Sequence, residues 1–70
     1  MDLTARLNRQ MFLGALTKCV RHMNQLTEAE HRFVGQMKEE WEVNGEMFEP
    51  TVKQFNWLRQ IASELEKLYG

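Results

Sequence analysis

Cys19 and His22 stand three residues apart, a spacing that sets a thiol and an imidazole on one side of a helix. Two chemistries use such a pair. A thiolate beside a histidine base is a nucleophile once a third group orients the base. A thiolate and an imidazole also ligate metal, but structural zinc takes four ligands. Cys19 is the only cysteine, and the other histidine, His31, falls in the next segment. No glycine-rich phosphate loop is present, no strained loop offers a nucleophile, and the chain leaves little room for a substrate pocket. Glu39, Glu40 and Glu42 read as a solvated face rather than paired catalytic acids. The expectation is a protein that is not an enzyme, with no cofactor, no metal and no small-molecule substrate. Cys19 then reads as a small core residue.

Binding chemistry is better represented. Lys53, Gln54, Asn56 and Arg59 lie in one stretch with no acid before Glu64. Those types contact phosphates and base edges, so a helix-turn-helix-like DNA or RNA binder is one reading. The connection from Asn44 to Pro50 is long for a tight turn, and it carries Glu46 and Glu49 where phosphates would lie. The other reading is protein docking. Trp57 sits off the main apolar stripe of its helix, on the side shared with Val52, and Trp41 ends the stripe before it. A part-exposed tryptophan is a common interface anchor, although both tryptophans could instead close the ends of a core. Glu39 and Glu42 belong to an acidic face that could meet a basic partner or imitate the charge of nucleic acid.

The elements that would position these residues are helices. Phe55, Leu58, Ile61, Ala62, Leu65, Leu68 and Tyr69 recur at three-and-four spacing, one apolar stripe along a helix. Pro50 precedes Thr51, and Gln54 follows three residues on, as in a capping box. Thr27 with Glu30 repeats that start signal, and Phe33, Val34, Met37 and Trp41 form the stripe behind it. Asn44-Gly45 is a usual helix end, and Met47 and Phe48 are expected to fold back onto the core. Leu3, Leu7, Met11, Phe12, Ala15, Leu16, Cys19, Val20 and Met23 mark the first helix, and Leu13 widens its apolar arc beyond what one contact requires. That arc is either a broad core face or a core face plus a partner face. Gly14 and Gly35 mark either close helix crossings or small losses of helix propensity. The spacing predicts an all-α, compact three-helix array with helices over about 2–22, 28–43 and 51–69 in a single 1–70 domain.

Seventy residues bury a small core and leave a net stability of only a few kcal/mol. A single cysteine excludes an intrachain disulfide and fits a reducing, cytoplasmic setting. The opening Met1-Asp2-Leu3-Thr4 lacks the features of a signal peptide, and no apolar run nears the roughly 20 residues of a membrane span. Net charge is −1, too balanced for whole-surface attraction to nucleic acid. The middle of the chain holds seven of the ten acidic residues, Glu28 to Glu49, and its flanks are mildly basic.

Leu26-Thr27-x-x-Glu30-x-x-Phe33 followed by Pro50-Thr51-x-Lys53-Gln54-x-x-Trp57-Leu58-x-x-Ile61 resembles small helical modules of phage and mobile-element proteins. Some of those are appended to replication or recombination proteins. The resemblance covers about half the chain and brings no catalytic residues. It implies an accessory role near nucleic-acid machinery, as an inhibitor or regulator that docks on a host protein or nucleic-acid-processing complex. Together these readings lead to a regulatory or inhibitory protein-interaction module, with the nucleic-acid binder and a self-associating homodimer or larger assembly as alternatives.

Overall fold

The computed structural model describes residues 3–70, with side chains from Arg9 onward and Glu46 excepted. The chain is all-helical, as the spacing predicts: α1 spans Leu3–Arg21, α2 Glu28–Asn44 and α3 Val52–Tyr69. Short 3-10 turns at Met23–Gln25 and Gly45–Met47 lie in the two connections. Helix one was expected from residue 2, which lies outside the described residues. Its other end falls at Arg21, where the His22 N–H is shared between the carbonyls of Lys18 and Cys19. Such sharing marks a helix tightening into a 3-10 turn.

Both later helices start where their caps dictate. The Thr27 hydroxyl accepts from the Glu30 N–H at 3.2 Å, and the Glu30 carboxylate accepts from the Thr27 N–H at 2.9 Å. Thr51 and Gln54 repeat the box at 3.1 and 2.9 Å. Each box satisfies two amide donors that the first turn leaves orphaned. Gly45 ends α2 with φ 55°, a left-handed conformation that glycine adopts without a Cβ clash.

Each helix gives three residues to the core: Phe12, Leu16 and Cys19; Phe33, Val34 and Met37; Leu58, Ile61 and Leu65. No polar or charged side chain is buried among the described residues, so the core rests on apolar burial alone. Phe12 against Phe55, Lys18 paired with Glu66 and His22 stacked on Tyr69 show that α1 and α3 run in the same direction. Phe12 against Trp41, and Met23 beside Gly35, show α2 running the opposite way. The closest-packed pair is α1 with α3, which the chain joins only through α2.

One expectation is corrected, and three other readings are narrowed. Met47 is 85% exposed; only Phe48 folds back. Leu68 and Tyr69 continue the stripe of α3 but are 73% and 51% exposed, because α1 has already ended at Arg21, and at that turn His22 stacks on Tyr69. Of the wide arc of α1, Met11 and Leu13 are both exposed and lie on opposite flanks of buried Phe12. Gly14 marks no close crossing, since an added Cβ would meet nothing within 4 Å.

Candidate functional site

Gly45 turns the chain, Pro50 cannot continue a helix hydrogen-bond ladder, and Thr51 restarts it. The connection therefore breaks the helical run between α2 and α3. It carries the Phe48 ring onto Phe12 at 5.6 Å between centroids, edge to face at 68°. Trp41, in the last turn of α2, lies 6.0 Å from the same ring, and Phe55, in the first turn of α3, lies 6.1 Å away. Phe12 is thus a hub for three aromatic neighbours, each at a separation typical of favourable ring pairs.

These rings do not close over one another. They leave a cleft of about 330 Å³ with Phe12 in its lining, between Trp41 and the Phe48-to-Val52 segment. Val52 lines it and is itself 77% exposed. Arg9 from α1 and Glu49 from the connection bring opposite charges to the lining. On α3, the Arg59 guanidinium lies 5.8 Å from the Phe55 ring centre, within cation–π range. The cleft can hold a bulky apolar group, with a charged group of either sign beside it.

The expected docking residues do not form one patch. Trp41 and Val52 meet at the cleft. Trp57 lies elsewhere, stacked on Phe33 at 4.2 Å and 22° between planes, with 40% of its surface exposed. Glu39 and Glu42 are exposed on α2, and Glu42 pairs with Lys38 at 3.6 Å. Of the nucleic-acid set, Lys53, Asn56 and Arg59 are exposed and share one arc of α3. Gln54 does not join them. Its side-chain carbonyl is held by the Thr51 N–H, and at 100° per residue it falls on the opposite side of that arc. Sequence reasoning missed Arg9, Phe12, Phe48 and Phe55 as site residues. A concentration of aromatics around the Asn44–Pro50 connection was the available signal.

Cys19 and His22 engage different partners. Cys19 is fully buried, and its thiol faces the Leu58 carbonyl at 3.8 Å. Burial, reinforced by the Glu30 carboxylate, pushes that thiol from 9.0 up to about 11, so it stays protonated and weakly reactive. His22 is stacked on Tyr69 at 5.1 Å. Among the described residues no group of three or more His, Cys, Asp and Glu is placed to hold a metal. No described helix is long and apolar enough to cross a membrane. No family model matches the chain, and no curated protein or solved structure matches it.

Proposed function

We propose that this protein is a non-enzymatic interaction module, regulatory or inhibitory in the manner of the phage-type modules it resembles, that acts by docking on another protein. The observation that carries this reading is the aromatic cleft between Trp41 and Val52. A small all-apolar core has every reason to bury its aromatic side chains completely, yet only Phe12 is fully buried, and Trp41, Phe48 and Phe55 are part-buried around it and line an open concavity. Exposed apolar surface of that kind, edged by charge, is what protein partners cover. A buried, protonated thiol and a histidine engaged by Tyr69 also favour binding over catalysis.

The test is affinity capture from a bacterial lysate with and without nuclease, run in parallel on the native chain and on Val52→Glu. Val52 is the first residue of α3, where an acid suits the helix dipole, so the variant folds. A protein retained by the native chain and lost by Val52→Glu supports the reading. Recovery that disappears with nuclease moves the function to nucleic acid and to the arc of Lys53, Asn56 and Arg59. The loss of Gln54 to its cap weighs against that alternative. Bait recovered alone, with sedimentation showing a dimer, makes self-association the main task.

A further inference from the structure

We infer that the cleft receives the bulky apolar anchor of an amphipathic helix, with an acidic residue beside the anchor facing Arg9; this rests on the protein-docking reading above. Three observations select that occupant. The first is size and shape. At about 330 Å³ the cleft is at the low end of ligand pockets, and such pockets enclose most of a small molecule. This one opens onto Val52, itself 77% exposed, so much of a small ligand would stay wet. A partner that seats one large side chain and spreads over Val52 covers both. The second is the backbone. Among the described residues there is no strand, so an extended peptide finds no sheet edge to join. A helix brings its own hydrogen bonds and needs only a groove. The third is charge. Arg9 comes from α1 and Glu49 from the connection. Neither belongs to the ion pairs among the described residues, Lys18–Glu66, Arg32–Glu28 and Lys38–Glu42. A helix with an acid one turn from its anchor meets Arg9 while the anchor sits on Phe12. A basic residue on the other side of the anchor meets Glu49.

A displayed library of random peptides, selected against the folded full chain, tests this directly. The expected consensus has a Trp, Phe or Leu anchor, apolar residues at helical spacing and an acid one turn away. The selected peptide is then made synthetically, and its binding is followed by Trp41 fluorescence in the Trp57→Phe background. Val52→Glu and Val52→Lys should each weaken it at least about ten-fold, with circular dichroism showing both variants folded. Arg9→Glu should weaken it too, and replacing the peptide's acid by lysine should restore binding. A proline-rich or unpatterned consensus overturns the inference. So does binding indifferent to both Val52 variants, which leaves protein docking standing on another surface. A chain dimer broken by Val52→Glu also overturns it, since the occupant is then a second copy. If no peptide is selected and the capture experiment also returns nothing, both readings fail together.

Discussion

The indole of Trp57 lies flat on the ring of Phe33, 4.2 Å between centroids and 22° between planes. Phe33 is buried and Trp57 is 40% exposed, so the pair is the rim of the core between α2 and α3. Trp57→Ala should cost roughly 1–2 kcal/mol, from the stacking energy plus part of the ring's burial. Far-UV circular dichroism should barely change. Chemical denaturation of Trp57→Ala, Phe33→Leu and the double variant checks the pairing, which predicts a coupling of about 0.5–1.5 kcal/mol.

Cys19 should make the fold sensitive to alkali. Its thiol is raised to about 11 in the folded chain from 9.0. Between those values the unfolded chain loses a proton that the folded chain keeps. Stability is therefore fully present below pH 9 and declines as pH rises towards 11, by on the order of 2 kcal/mol. Melts across that window should show the native chain losing its advantage over Cys19→Ala as pH climbs. A gap constant with pH counts against the raised thiol.

The two capping boxes should contribute comparably. Thr27→Ala and Thr51→Ala should each cost about 0.5–2 kcal/mol. Gln54→Ala should also destabilise, because its carbonyl holds the Thr51 N–H. Thermal melts measure all three. A neutral Gln54→Ala that instead abolished binding to a nucleic acid would restore Gln54 as a reader.

Gly14→Ala should stabilise by up to about 1 kcal/mol. Gly14 is exposed within α1, its φ is not positive, and an added Cβ meets nothing within 4 Å. A destabilised variant would mean that something covers this position in solution.

Local signals in the sequence were legible, and distant closures were not. Thr27 with Glu30 and Thr51 with Gln54 fix helix starts through bonds three residues apart, so pattern alone finds them. Leu68 shows where periodicity misleads: the stripe continues, but the neighbouring helix has stopped. Gln54 shows a second limit. Its type suits both a base edge and a cap, and only the fold shows the amide already engaged. Trp41 and Val52 were visible as candidates one at a time. Their meeting at a cleft depends on Phe12, some thirty residues before Trp41, and no spacing rule links those positions.

The parallel pairing of α1 and α3 has a consequence for how the chain reaches its native state. The contact from Cys19 to Leu58 spans 39 residues. The closest helix pair therefore forms only after a loop containing all of α2 has closed, and that entropy is lost before the contact returns anything. An α1–α2 hairpin has a third of its core missing. Folding should be slower than local helix content suggests, with α1 and α2 waiting during synthesis until α3 has left the ribosome.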